Sequence, residues 1–257
     1  MEKEKYSVVI DNTSKYIKEN IDIIYEDNHL LVVVKPKNLL SQGDDTKDPN
    51  ILDILKEYIR VKYNKKGEAY LGLVQRLDRP TAGIMVFAKT SKSASRISEE
   101  IRNKKLKKRY LAVTDGVMDG KLKDIKKIEN HIIKDSKNNK SIVVDKTDAK
   151  DAKKSVMEYR IIEKGEDSTL LDINLITGRS HQIRTSLSNI DHPIVGDVKY
   201  AKYFKFGKKT KDLGLFAYYL GFKHPTKDVF LEFVIPPFEY NDVFTNYKDS
   251  ILELIYY

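Results

Sequence analysis

The chain has no cysteine. That excludes disulfides, thiolate-based zinc sites and cysteine nucleophiles, and it suits a reducing compartment. No apolar run approaches the ~18–20 residues that a membrane-spanning helix requires. The opening residues MEKEKYSVVIDN have no long apolar core and no small-residue cleavage site, so no secretory signal is expected, and the cytoplasm is the expected address. There is also no internal repeat, no low-complexity linker and no clean domain boundary.

What is present is a chain of 257 residues, 40% hydrophobic, with a formal net charge of +9. That length and apolar content support a buried core rather than disorder. The positive surplus favours polyanionic partners, because cations that neutralise phosphates release condensed counterions. The basic residues also cluster. Arg102 to Arg109 reads RNKKLKKR, and Lys202 to Lys211 reads KYFKFGKKTK, with Tyr203, Phe204 and Phe206 interleaved. Cations suit phosphates, and aromatic faces suit unstacked bases. A merely solvated lysine-rich surface is the competing reading.

Residues 1–20 are polar and weakly patterned, and read as an extension. Leu30 to Val34 predicts a strand closed by Lys35-Pro36. Apolar residues at Ile51, Leu52, Leu55, Tyr58 and Ile59 predict a helix. Gly83 to Ala88 predicts a strand, and Thr90 or Ser91 can cap a helix with Ala94, Ile97 and Ile101 on its apolar face. Tyr110 to Val113, Val156 to Ile162 and Leu170 to Ile176 read as further strands. Asn130 to Asp145 reads as a hairpin around Lys137-Asn138-Asn139, and the most polar stretch, Lys137 to Lys154, as a surface excursion. Gln182 to Leu187 predicts a short helix. Leu215 to Phe222 and Val229 to Ile235 form a late strand pair, broken by Pro236-Pro237, and an amphipathic helix is expected from about Asn241. Strands outnumber helices and neighbours can pair as hairpins, so the predicted class is α+β with a mostly antiparallel sheet.

Two stretches can carry chemistry. In Gln75-Arg76-Leu77-Asp78-Arg79-Pro80-Thr81-Ala82-Gly83, Pro80 and Gly83 demand a turn. A carboxylate between two arginines stays ionised and can serve as nucleophile or base. A surface aspartate with ordinary ion pairs is the alternative. In Thr177-Gly178-Arg179-Ser180-His181-Gln182-Ile183-Arg184, polar groups open a helix and can hold phosphate or a carboxylate; a capped helix start with an exposed basic face is the alternative. His181 reads as structural or RNA-contacting, and His192-Pro193 as a turn. The five histidines are dispersed without metal-ligand spacing.

Read together, these stretches resemble the RluA-type pseudouridine synthases. QRLDRPTAGIMVFAKT is similar to the family signature HRLD-x-x-T-S-G around the catalytic aspartate, and KKRYLAV to the segment carrying its tyrosine. LITGRSHQIRTSLSNIDHPIVGDVKY is similar to the TGR-x-HQIR and HPI-x-GD segments. VVVKPKNLLSQG and LFAYYLGFKHPTKD match further segments, so the likeness runs from Ile23 to Pro237. Gln75 replaces the usual His, Ala82 the usual Ser, and Ser186 and Asn189 stand where histidines are common.

The resemblance implies the pseudouridine synthase fold, a mixed, mostly antiparallel sheet with a central cleft and flanking helices. It implies a catalytic domain over 21–257 without a separate N-terminal RNA-binding domain, and a monomer acting on rRNA or tRNA. It implies that uridine is flipped out of its stack and that its uracil is cut from the ribose, turned and rejoined through C5. The reaction is redox-neutral, so no cofactor is implied. Asp78 is the expected catalytic carboxylate, attacking the ribose or removing a sugar proton. Arg184 is expected to pair with Asp78, and Tyr110 to pack on the base. Arg76, Arg79, Arg179 and His181 are expected RNA-positioning residues, and Lys104, Lys105 and Lys108 expected phosphate contacts. A catalytically silent RNA-binding relative and a carboxylate-dependent glycosidase are the competing classes. The latter needs a second acid across the scissile bond, and none stands out.

Overall fold

The computed structural model describes residues 21–145, 150–201 and 210–256. The expected extension over 1–20 and nearly all of the Lys202 to Lys211 run lie outside those residues. The chain divides into two compact units. The first holds the described residues up to Leu106 together with Leu220–Phe233, and the second holds Lys107–Tyr219 and the residues from Val234 onward.

In the first unit, β1 (Asp22–Glu26) pairs antiparallel with β2 (Leu30–Lys35), and β2 pairs antiparallel with β4 (Ala82–Ala88). The short β3 (Gly72–Leu73) joins β4. Every residue of β2 and β4 is buried. A strand covered on both faces has no reason to alternate, which is why both read as unbroken apolar runs. The helix α1 (Ile51–Lys62) starts where the Asn50 side chain accepts from Asp53 N, and buries Ile51, Leu55 and Ile59 along one stripe. The helix α2 (Ser91–Arg102) starts at Thr90, whose hydroxyl accepts from Ser93 N, and it packs on β4 with Ile97 fully buried. Both caps satisfy amide groups that the first helical turn leaves unpaired.

The second unit is built on β5 (Lys107–Asp115), β6 (Lys126–Asp135), β7 (Lys140–Val144), β8 (Lys153–Lys164) and β9 (Ser168–Leu175). Their order is β5-β9-β8-β6-β7, and each of these pairings is antiparallel. The helix α3 (Gln182–Asn189) lies against β6 and β7. Strand β10 (Leu215–Lys223) begins in this unit and ends in the first, and β11 (Phe230–Val234) pairs with it. The class is therefore α+β with a mostly antiparallel sheet, as the sequence predicts.

The hairpin expected over Asn130 to Asp145 is present: Lys140–Val144 is the edge strand β7, in register with His131–Asp135 of β6. An edge strand can be polar because its outer side meets water. The terminal helix does not begin at Asn241. Asn241 caps a 3-10 run over Asp242–Tyr247, and the α-helix α4 covers Lys248–Tyr256. The run is rich in β-branched, aromatic and Asn/Asp residues, which are weak α-formers. Its buried residues Phe244 and Tyr247 are three apart, the spacing at which 3-10 side chains align.

Candidate active site

Asp78 stands in the turn that leads into β4. Thr81 N donates to Asp78 O at 3.0 Å and closes the turn. The backbone on each side of Asp78 is fastened. Ser41 Oγ donates to Leu77 O at 2.7 Å and accepts from Leu77 N at 3.0 Å. Lys35 is fully buried, and its ammonium donates to Leu39 O at 2.7 Å, Pro36 O at 2.8 Å and Arg79 O at 3.2 Å. A buried ammonium must be hydrogen-bonded to be tolerated, so Lys35 locks the turn to the end of its own strand. Gly83 follows with φ 135°, a conformation that glycine adopts without steric cost. Asp78 as a residue is half-buried.

The arginines beside Asp78 are exposed. Arg79 Nη1 pairs with Asp48 Oδ2 at 2.7 Å, and its Nε donates to Asn38 O at 3.2 Å. The sequence argument placed the carboxylate between two arginine charges; one of them has its own acid 31 residues away. Gln75 Nε2 and Thr81 Oγ1 are buried without a hydrogen-bond partner among the described residues. They flank the aspartate turn at positions −3 and +3.

The other two catalytic candidates, Tyr110 and Arg184, belong to the second unit. Tyr110 is buried on β5, opposite Ile173 of β9. Arg184 is buried on α3 and is held bidentately by Asp197, Nε to Oδ2 at 2.7 Å and Nη2 to Oδ1 at 2.8 Å. Asp197 Oδ1 also accepts from Lys199 N at 3.1 Å and Tyr200 N at 3.2 Å. The sequence reading gave Arg184 only Asp78 as a partner and missed Asp197. Asp197 lies in the HPI-x-GD segment, which was the available signal. Its turn depends on Gly196, with φ 77°, where an added Cβ would stand 2.0 Å from Asp212 O. The Arg184 guanidinium also stacks over the Tyr200 ring, 5.1 Å from its centroid.

Tyr200 links this group to His181. Its hydroxyl accepts from Ser141 N at 2.7 Å and is hydrogen-bonded to His181 Nδ1 at 2.7 Å. His181 has φ 50°, in the left-handed region, at the start of α3. Gln182 then clamps the preceding turn. Its Oε1 accepts from Thr177 Oγ1 at 2.8 Å and Arg179 N at 3.0 Å, and its Nε2 donates to Val156 O at 3.0 Å. Arg179 is exposed, with Nε on Lys154 O. Thus His181, Arg184, Asp197 and Tyr200 form one connected group, and Thr177, Arg179 and Gln182 another beside it.

The basic run splits along its length. Helix α2 ends at Arg102, and Lys104 turns the chain with φ 55°. Lys104 and Lys105 are exposed. Lys108 is half-buried on β5, and burial holds its ammonium below the ordinary lysine range. Arg109 is committed elsewhere: it pairs with the buried Asp172, which also accepts from Arg160 Nε at 2.8 Å and Tyr218 Oη at 3.0 Å. Burial, and then the Asp172 charge, hold the Tyr218 phenol above its ordinary range.

A family model described as RNA pseudouridylate synthase matches residues 29–189. The chain is 37% identical over 222 residues to a ribosomal large subunit pseudouridine synthase C from Buchnera aphidicola subsp. Baizongia pistaciae, covering 84% of this chain and 67% of that protein. It is 32% identical over 226 residues to an uncharacterized RNA pseudouridine synthase from Aquifex aeolicus, covering 84% and 69%. Among solved structures, human RNA pseudouridylate synthase domain containing 4 superimposes with a TM-score of 0.68 at 25% identity, over 90% of this chain and 91% of that one. The fold and the motifs define an RNA-modifying isomerase. The chain belongs to the RluA-type RNA pseudouridine synthases.

Among the described residues no helix is long and apolar enough to cross a membrane. Nor is any group of three or more His, Asp or Glu side chains placed to hold a metal ion.

Proposed function

We propose that this enzyme modifies uridine in ribosomal RNA, with transfer RNA the other candidate substrate, and that Asp78 is its catalytic carboxylate. The observation that carries the assignment is the double anchoring of the aspartate turn by Ser41 and Lys35. A group that must meet a sugar carbon or proton in one geometry needs a fixed backbone, because misplacement by 1 Å can cost about a hundredfold in rate. The large-subunit names of its relatives support a ribosomal substrate.

Tyr110 packs on the target base, and Arg184 is the third catalytic residue. Arg76, Arg79, Arg179 and His181 position the RNA, and Lys104, Lys105 and Lys108 take its phosphates. The isomerisation breaks the N1–C1′ bond, forms the C5–C1′ bond and trades the proton on C5 for one on N1 without net oxidation, so no cofactor is expected. The enzyme acts as a monomeric catalytic domain over 21–257, in the cytoplasm. The test is tritium release from RNA labelled at uridine C5, followed by mapping pseudouridines in cells lacking the protein. Release from a large-subunit rRNA transcript, with loss of one or a few pseudouridines in those cells, is the expected result. No release from rRNA or tRNA transcripts would overturn the proposal.

A further inference from the structure

Lys108 differs from the lysines that precede it. Lys104 and Lys105 are exposed turn residues, whereas Lys108 is half-buried within β5. Residues two apart on a strand project from the same face. Lys108 therefore shares its face with Tyr110, while Arg109 between them projects to the other side and meets Asp172. The Lys108 ammonium lies beside the Thr177-Gly178-Arg179 turn: a Cβ on Gly178 would stand 3.7 Å from Lys108 Nζ. No carboxylate pairs with it among the described residues, and no neighbouring charge offsets its desolvation. A partly buried cation without a counter-charge is costly unless an anion completes it. The anion that an RNA substrate brings is phosphate; uracil is neutral.

We infer that Lys108 is a positioning residue that binds a backbone phosphate of the nucleotide being modified and so sets that nucleotide against Tyr110. This deepens the proposed function and rests on it. Lys104 and Lys105 then serve overall affinity, and Lys108 serves the geometry of the reacting nucleotide. Gly178 carries no side chain, which leaves the approach to the ammonium open on that side.

The test uses the full chain under single-turnover conditions at saturating enzyme, with tritium release as the readout. The RNA is a stem-loop built around the uridine first mapped in a large-subunit rRNA transcript. Lys108→Met keeps the aliphatic stem and removes the charge. It should slow the step at least about tenfold, since misplacing a reacting group costs that much or more. Lys108→Arg should recover part of the rate, and the melting temperature of both variants should stay near that of the unaltered protein. The Lys104→Gln/Lys105→Gln double variant should instead weaken RNA binding and flatten its salt dependence by ~0.7 per lost contact.

A neutral methylphosphonate placed in turn on either side of the target uridine locates the phosphate. At one of these positions it should slow the unaltered enzyme as Lys108→Met does, and cause no further loss in that variant. Additive losses at both positions, or a Lys108→Met rate within twofold of normal, would overturn the inference while leaving the proposed function standing. Absence of turnover by the unaltered enzyme on every RNA would overturn both.

Discussion

Replacing Asp197 with alanine removes the acid that holds Arg184. Both side chains are buried, with 5% of Arg184 and none of Asp197 exposed. The substitution leaves a guanidinium without its bidentate acceptor, and it also strips the acceptor from Lys199 N and Tyr200 N. Breaking a buried pair by removing one partner costs ~3–5 kcal/mol. For a chain of this size the loss corresponds to a fall in melting temperature of roughly 6–20 °C. Urea unfolding followed by circular dichroism measures it directly, with a lower midpoint at unchanged slope. Arg184→Met should cost less than Asp197→Ala, because Asp197 keeps two amide donors and the methionine refills the space of the arginine stem. A loss below ~1 kcal/mol for Asp197→Ala, the scale of exposed pairs, would show that the pair does not organise α3 and the turn after it.

Other substitutions test other parts of the structure. Gly196→Ala forces a Cβ against the Asp212 carbonyl at a positive φ, so expression of folded protein should fall sharply, whereas Gly67→Ala, with nothing within 4 Å, should be tolerated. Glu26 accepts from Lys62, Lys89, Tyr58 and Tyr63; these hydrogen bonds overcome the opposing effect of burial and bring its pKa down to about 2. Because the folded pKa is depressed, its contribution is full above the ordinary glutamate range and is lost as pH falls toward 2. Glu26→Gln should therefore destabilise by ~1–2 kcal/mol near neutrality, after allowance for solvent screening, and the difference should vanish in acid melts. Tyr110→Phe should bind RNA nearly normally and slow single-turnover tritium release if the hydroxyl moves a proton; an unchanged rate would confine Tyr110 to stacking.

Much of the fold is legible in the sequence where one physical term dominates. The unbroken runs of β2 and β4, the 3.6-residue stripe of α1 and the Thr90 cap each follow from local pattern. The 3-10 run over Asp242–Tyr247 does not, because it shares apolar spacing with an α-helix. Charge is visible in a sequence, but its partner is not. Arg79 finds Asp48, Arg109 finds Asp172 and Arg184 finds Asp197 only through tertiary structure. For the same reason Lys35, which reads as the polar end of a strand, is found buried and bonded to the turn that carries Asp78. The aspartate, tyrosine and arginine candidates were recognisable from motifs, whereas the residues that orient them were not.

The most direct test of the account compares Asp78→Asn with the unaltered enzyme on the same uridine-labelled rRNA transcript. The exchange preserves size and shape while removing the charge and turning one acceptor oxygen into a donor, and the anchors at Leu77 and Arg79 are backbone contacts that it leaves in place. Tritium release should fall to background while RNA affinity stays within a few fold. Sustained turnover by Asp78→Asn would contradict the assignment of the catalytic carboxylate.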